Sequence, residues 1–164
     1  LGALPVIAED LGLITPDVTA LREKFGISGT KVLQFGLSAP ARERRDTEHH
    51  PVNVPPNAVV YTGTHDNDTT VGWARTLTPQ ARRSLLGTLR ARSASDIPHA
   101  LIETALATSA RLCVTPMQDL LALGSTARMN KPGTATFRNW SWRYERIPRA
   151  LARKLREMTI RWLR

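Results

Sequence analysis

The chain has 164 residues, of which 41% are hydrophobic and 23% are charged, so it is long enough for one domain with a buried core. Its single cysteine, Cys113, excludes an intramolecular disulfide and any metal motif that needs two cysteines. No stretch reaches the roughly 18 consecutive apolar residues of a membrane helix, and no secretion signal is recognisable. We therefore expect a cytoplasmic chain. Because the first residue is Leu1 rather than Met, we also expect a piece truncated at its N-terminus.

The net charge of +9 comes from 23 basic and 14 acidic residues, and nearly all of the excess is arginine. Such a charge permits contacts with nucleic-acid phosphates. The arginines are nevertheless dispersed over several segments, and no stripe of aromatic residues is interleaved with them. This pattern is more typical of solvated helix faces, so a basic nucleic-acid-binding domain remains only an alternative.

The chain contains four short apolar runs, and each is bounded by turn residues. Runs that are this short and rich in β-branched residues are typical of strands that are covered on both faces. The predicted strands are residues 5–8, 31–35, 58–61 and 112–115. Since helical patterns fall between them, their order predicts a parallel α/β sheet. About 30 residues per unit is the spacing of an eight-fold (β/α) barrel, although four parallel strands also suit a small, open doubly wound sheet.

The predicted helices begin where a capping residue precedes a proline in the first turn. One begins at Pro16 and stops at Gly26, a second begins at Pro79, and a third begins after Asp96. The last predicted helix covers residues 148–164. Its apolar residues at helical spacing, a pattern typical of core packing, are Leu151, Leu155, Met158 and Trp162.

Residues 36–57 separate the second and third predicted strands and follow no regular period. They are rich in charged residues and proline, which is typical of an irregular loop or an insertion. We predict a long, mobile loop there.

Polar residues follow each predicted strand, at the edge of the sheet where parallel α/β proteins place their sites. Glu9 follows the first strand and Asp66 follows the third, so both carboxylates are expected at the same end of one sheet. Two carboxyl groups in one cleft suit glycoside chemistry, in which one protonates the leaving oxygen and another attacks or stabilises the charged sugar. An acid after a strand also commonly caps a helix or supports a neighbour, which is the interpretation given to Asp10, Asp68 and Asp119.

His65 lies beside Asp66 and opens a metal-binding interpretation together with Asp68 and Asp119. Only four histidines occur, and no two of them have the His-x-His or His-x-x-x-His spacing of many metal sites. The sequence therefore predicts no metal and no cofactor. His65 is instead expected to donate to a sugar hydroxyl or to pin its own loop.

Several longer motifs, in order along the chain, resemble those of the 4-α-glucanotransferases, the amylomaltases or disproportionating enzymes of glycoside hydrolase family 77 in the α-amylase clan. The motifs are Ile7-Ala-Glu-Asp-Leu-Gly-Leu-Ile-Thr-Pro16, Lys31-Val-Leu-Gln-Phe35, Val60-Tyr-Thr-Gly-Thr-His-Asp-Asn-Asp-Thr-Thr-Val-Gly-Trp73, Pro116-Met-Gln-Asp-Leu-Leu-Ala-Leu-Gly124 and Asn139-Trp-Ser-Trp-Arg143. The resemblance covers nearly the whole chain and is weakest over residues 38–57 and 79–110. It implies that the four strands are strands five to eight, the C-terminal half of a (β/α)8 TIM barrel whose N-terminal half is absent from residues 1–164.

The resemblance also implies roles for individual residues. Glu9 would be the general acid/base, and Asp66, with His65, would bind sugar hydroxyls and stabilise the charged transition state. The further residues that would line sugar subsites are Phe35, Asn139 and Trp73. Core packing explains the two aromatic ones equally well.

The family's mechanism is retaining, and the resemblance puts its nucleophilic aspartate upstream of Leu1. The expected activity is transfer of an α-1,4-glucan segment to the 4-hydroxyl of glucose or of another glucan. Malto-oligosaccharides, α-1,4-glucans and the missing half of the barrel are the expected partners, so the chain alone is expected to be inactive and poorly soluble. Where the family usually has a second aromatic residue and an acid, this chain has Leu37, Ser38 and Ala39. A non-catalytic glucan-binding module is the other alternative.

Overall fold

The computed structural model describes residues 6–162, which form a small parallel sheet covered by helices. The strands are β1 (Gly29–Val32), β2 (Ala58–Tyr61) and β3 (Leu112–Val114). They form one sheet in the order β1-β2-β3, with Gly29 opposite Ala58 and Val59 opposite Leu112. This parallel arrangement confirms the predicted α/β class.

The helices lie before, between and after the strands. They are α1 (Pro16–Lys24), α2 (Leu33–Ser38), α3 (Thr70–Thr76), α4 (Pro79–Leu89), α5 (Ile97–Leu106), α6 (Met117–Leu120) and α7 (Arg149–Arg161). Those predicted from proline and capping signals form at the expected starts, whereas α2, α3 and α6 were not predicted because they have only six, seven and four residues. Over residues 6–162, no helix is long and apolar enough to cross a membrane.

The second predicted strand, residues 31–35, is displaced in the structure. β1 covers Gly29–Val32, and α2 begins at Leu33, so Gln34 and Phe35 are helical rather than at the end of a strand. Periodicity misassigned them because a short, buried apolar run is compatible with either a strand or a helix. The fourth strand is one residue shorter than predicted and ends at Val114.

The first predicted strand, residues 5–8, is reduced to a single parallel bridge between Ile7 and Ser28. The amide of Ala8 also donates to the carbonyl of Ser28, so the segment follows the edge of the sheet without forming a ladder. Pro5 lies outside the described residues.

The hydrophobic core lies between one face of the sheet and helices α3, α4 and α5. Ala58 and Val60 of β2 belong to it, together with apolar residues such as Leu85 and Leu101 from the helices. Successive side chains of a strand point to opposite faces. Tyr61 therefore faces away from this core, toward a cavity that forms at the ends of the strands.

Residues 39–57 contain two short 3-10 helices, Arg44–Asp46 and Pro51–Asn53, and contact the rest of the fold through a few specific groups. The buried Arg44 donates from Nη1 to Ser84 at 3.2 Å and to Thr88 at 3.1 Å, both on α4. The Nδ1 atom of His49 accepts a 3.2 Å hydrogen bond from the amide of Val32 at the end of β1.

Two surfaces remain without a partner within the described part of the chain. No second strand pairs with the outer side of β3, and no residue of α1 is buried. By contrast, α7 contacts α5 through an ion pair of 2.8 Å between Arg161 and Glu103, and its residue Met158 is buried. Leu151 and Leu155 on the predicted apolar face of α7 are half-buried, whereas Trp162 is exposed.

Candidate active site

A cavity of about 700 Å³ lies at the carboxyl ends of the strands. Its walls include Glu9, two residues after the bridge between Ile7 and Ser28, and His65, which follows β2. The sequence after β3 contributes Asp119, and residues 142–144 contribute a further wall with two aromatic side chains. Parallel α/β proteins place their sites at this edge of the sheet, so the cavity is the candidate active site.

Asp66 lies beside the cavity, between two residues that line it. Its Oδ1 atom accepts a 2.6 Å hydrogen bond from the side-chain amide of Asn130 and lies 3.4 Å from Nε2 of His65. Its backbone carbonyl accepts a 2.7 Å hydrogen bond from Arg128. The side chains of His65 and Asp66 are both nearly half exposed, so they remain accessible to a ligand.

Residues 62–70, which we call the His65 loop, owe their shape to short-range hydrogen bonds and one glycine. The Oδ1 atom of Asn67 accepts from the amide and the hydroxyl of Thr64, at 2.8 and 2.9 Å, which closes a tight turn around His65. A Cβ atom at Gly63 would come within 2.7 Å of Nε2 of Gln34, so any other residue would displace a side chain that donates to the carbonyl of Asp68 at 3.0 Å. The sequence therefore presents His65 and Asp66 at the tip of a constrained turn.

The neighbouring carboxylates are engaged in structural contacts, in line with their interpretation as caps and supporting partners. Asp10 accepts from the amide of Thr30 and lies 3.3 Å from the Nε atom of Arg22. Asp68 accepts from the hydroxyl of Ser125 at 2.8 Å. Within residues 6–162, no group of three or more His, Cys, Asp or Glu side chains is placed to hold a metal ion.

Glu9 is exposed and faces the same cavity as Tyr61. Burial raises the pKa of the Tyr61 phenol, and the negative charge of Glu9 raises it further. That influence places the two groups within electrostatic reach of each other. A neutral phenol beside a carboxylate is a suitable donor for a sugar hydroxyl or for the carboxylate itself.

The other three predicted site residues do not line the cavity. Trp73 is only 9% exposed, belongs to the hydrophobic core and donates from its ring nitrogen to Ser38 at 2.9 Å. These contacts agree with core packing, which is one of the two interpretations given to Trp73 from the sequence. Phe35 is 43% exposed and contacts His49 edge-on, with ring centroids 5.4 Å apart.

Asn139 braces a surface turn instead of facing the cavity. Its Oδ1 atom accepts from the amide of Lys131 at 3.2 Å, and its Nδ2 atom donates to the carbonyl of Thr134 at 2.9 Å. The next residue, Trp140, packs against the imidazole of His65 with ring centroids 4.9 Å apart. Asn139 therefore supports the segment from which an aromatic ring reaches the site.

Several residues of the cavity were not predicted as site residues. They are Tyr61, Asn67, Gln118, Arg128, Met129, Trp142, Arg143 and Tyr144. Tyr61 carried a usable signal, because it ends the third predicted strand on the side where sites occur. Trp142 and Arg143 lay within one of the family-like motifs, but only the folded chain shows that the segment from residue 128 onward returns to the His65 loop.

The fold and this cavity define the class: a parallel α/β protein with an acidic site at the carboxyl ends of its strands. The comparison with known families is more specific. The chain belongs to the 4-alpha-glucanotransferases of glycoside hydrolase family 77, whose family model matches residues 1–149.

Individual relatives agree with that assignment. The chain is 48% identical over 149 residues to the 4-alpha-glucanotransferase of Thermus thermophilus, a match that covers 87% of this chain. It is 46% identical over 142 residues to the chloroplastic/amyloplastic 4-alpha-glucanotransferase of Solanum tuberosum, again over 87% of this chain. Among solved structures, the amylomaltase of Streptococcus agalactiae in complex with acarbose superimposes with a TM-score of 0.92 over 100% of this chain, at 32% identity.

These relatives are much longer than the chain. The match spans 29% of the Thermus protein, 24% of the Solanum protein and 33% of the Streptococcus structure. The chain therefore corresponds to about a quarter to a third of each relative that it matches.

Proposed function

We propose that residues 1–164 are the part of a 4-α-glucanotransferase that carries the general acid/base and the transition-state-stabilising aspartate. In this proposal Glu9 is the acid/base, Asp66 with His65 is the stabilising group, and α-1,4-glucans are the substrates. The observation that carries it is the convergence of Glu9 and His65 on one cavity, with Asp66 beside it, in a chain of this family.

The proposed reaction is a retaining double displacement. A carboxylate outside residues 1–164 attacks the anomeric carbon of the donor glucan, while Glu9 donates its proton to the departing 4-oxygen. A covalent glycosyl-enzyme and a shortened glucan result. Glu9, now ionised, removes the proton from the 4-hydroxyl of an acceptor, whose oxygen displaces the enzyme carboxylate and restores the α-linkage.

The geometry around Asp66 supports its proposed part in this reaction. Oδ1 is engaged by Asn130, which leaves Oδ2 for a sugar hydroxyl and for the positive charge of an oxocarbenium-like transition state. His65 stands next to it with an exposed ring, which suits donation to a second hydroxyl. Fixed groups of this kind stabilise a transition state without having to reorganise during the reaction.

We also propose that the missing nucleophile belongs to an N-terminal half-barrel, and that β1, β2 and β3 belong to its C-terminal half. The unpaired outer side of β3 and the unburied helix α1 support this, because a closed barrel would cover both. No observation favours the alternatives of a glucan-binding module or a nucleic-acid-binding domain.

Disproportionation of maltotriose tests the proposal on three samples. They are residues 1–164 alone, the protein expressed from its whole gene, and a chimaera in which residues 1–149 replace the matching segment of the Thermus relative. We expect glucose and a ladder of longer oligosaccharides from the second and third samples and none from the first. A ladder from residues 1–164 alone would contradict the assignment of the nucleophile to another part of the protein.

Substitutions in the active samples then test the individual roles. Glu9→Gln and Asp66→Asn are each expected to lower kcat by about 10²- to 10⁴-fold with the fold intact. Glu157→Gln, on the exposed surface of α7, is the matched control and should leave kcat unchanged. A rate within tenfold of the unsubstituted protein would show that the assignment of Glu9 or of Asp66 is wrong.

A further inference from the structure

A single buried carboxylate holds both ends of the His65 loop. Asp119 lies on α6, directly after β3, and is only 2% exposed. Its Oδ2 atom accepts from the hydroxyl of Thr62 at 2.7 Å, and its Oδ1 atom accepts from the amide of Thr70 at 2.7 Å. Thr62 is the first residue of the loop and Thr70 is the last, and both are fully buried.

The position of Asp119 explains how one side chain can act on the whole loop. The loop leaves the sheet at Thr62 and enters α3 at Thr70, so two bonds to one rigid group fix the distance between its ends. His65 and Asp66 stand at the tip between these anchors. A loop whose ends are fixed has fewer conformations available, which keeps groups at its tip in one arrangement.

Burial of an acid at this place costs free energy, which the two hydrogen bonds from Thr62 and Thr70 offset in part. Burial raises the pKa of Asp119, and so does the nearby charge of Asp68, whereas the hydrogen bonds from Thr70 and Thr62 lower it. An apolar side chain of similar size would avoid the desolvation cost. It would not, however, supply the two acceptor atoms that bind the Thr62 hydroxyl after β2 and the Thr70 amide at the start of α3.

We propose, on the basis of the proposed function, that Asp119 is a positioning residue that sets the direction in which Asp66 and His65 meet the sugar. It acts through Thr62 and Thr70 and needs no charge to do so. Asparagine satisfies the same geometry, because its Oδ1 atom can accept from the Thr70 amide while its Nδ2 atom donates to the Thr62 hydroxyl. Leucine has the same branched shape, with larger methyl groups in place of the two oxygen atoms, and offers neither contact.

The test compares Asp119→Asn with Asp119→Leu in the protein expressed from its whole gene. We expect Asp119→Asn to keep kcat for maltotriose transfer within about threefold. Asp119→Leu should lower kcat by about 100-fold with little change in KM, the size of effect that a misplacement of about 1 Å produces. Equal losses in both variants would overturn the proposal, since they would mean that Asp119 carries a proton or binds the sugar as an anion.

Hydrogen exchange of the backbone gives a readout that is independent of activity. Asp119→Leu should accelerate exchange of amides in residues 62–70, Thr70 foremost, while amides of α5 keep their protection. Unchanged exchange in the loop would overturn the proposal. If Asp119→Leu does not fold, Thr62→Val takes its place in both measurements. This substitution removes one of the two hydrogen bonds to Asp119 and nearly preserves the volume of the side chain. Absence of transfer by the unsubstituted protein would contradict the proposed function, and the exchange data would still decide whether Asp119 holds the loop.

Discussion

The side-chain amide of Asn130 donates a 2.6 Å hydrogen bond to Oδ1 of Asp66, across 64 residues of sequence. The backbone amide of Asn130 also donates to the carbonyl of His65 at 3.1 Å. One residue therefore holds both the main chain and the carboxylate of the pair on which the proposed function depends. A bond to an ionised acceptor is among the stronger hydrogen bonds in proteins.

Removal of this amide is predicted to slow the reaction rather than to weaken substrate binding. Hydrogen bonds to charged groups contribute about 1.5–3 kcal/mol, so Asn130→Ala should lower kcat by roughly 10- to 150-fold. Steady-state kinetics with maltotriose would measure it. Asn57→Ala, at the opposite end of β2, is the matched control and should leave kcat unchanged. An unchanged kcat in Asn130→Ala would mean either that Asp66 does not have its assigned role or that its role does not depend on this contact.

Trp73 and Trp140 are predicted to respond in opposite ways to substitution by phenylalanine. Trp73→Phe loses a hydrogen bond to Ser38 within the core and should lower the free energy of unfolding by about 1–2 kcal/mol with KM unchanged. Trp140 lies at the surface against His65. Trp140→Phe should therefore change kcat or KM, while the free energy of unfolding stays within about 0.5 kcal/mol of the unsubstituted value. Urea unfolding and kinetics on both variants would measure this. A raised KM with unchanged stability in Trp73→Phe would favour the sugar-subsite interpretation instead.

Acid is predicted to destabilise the protein partly through His49. Burial lowers the pKa of this imidazole below 6.5, outweighing the nearby charge of Glu48, and its neutral Nδ1 atom accepts from the amide of Val32. Because the unfolded chain binds the proton more readily, the stabilising contribution is fully present above pH 6.5 and is lost progressively as the pH falls from there through the lower pKa of the folded imidazole.

Urea unfolding of the protein at pH 7.5, 6.5 and 5.5 would test this, with His49→Ala as the comparison. The variant should be less stable at pH 7.5 and should lose less stability on acidification. Burial also lowers the pKa of His50 and of His99, so some acid dependence remains in the variant. Parallel pH profiles for the two proteins would contradict the assignment to His49.

The exposed face of α1 is predicted to make residues 1–164 associate when they are produced alone. Leu21 and Phe25 are 57% and 66% exposed and lie on one side of the chain's first helix and its C-cap. Leu21→Glu with Phe25→Glu should increase the soluble, monomeric fraction in size-exclusion chromatography but lower Tm of the whole-gene protein. Ala20→Glu, elsewhere on the same helix, is the control. A monomer that melts cooperatively without any substitution would contradict both this prediction and the half-barrel proposal.

Much of the fold was predictable because its signals are local. A capping residue followed by proline marks a helix start regardless of what the helix packs against, and Pro16 and Pro79 begin helices as predicted. The boundary between β1 and α2 was not predictable, because Leu33, Gln34 and Phe35 are compatible with either conformation and tertiary packing decides between them.

The sequence by itself determined the alternation of strands and helices, and with it the edge of the sheet where Glu9, His65 and Asp66 had to emerge. It also carried the motifs by which the family is recognisable. Only the tertiary structure decided that Trp73 is in the core, that Asn130 reaches Asp66, and that Asp119 joins Thr62 to Thr70. Those contacts join residues far apart in sequence, and their partners depend on how the elements pack, which no local pattern of residues encodes.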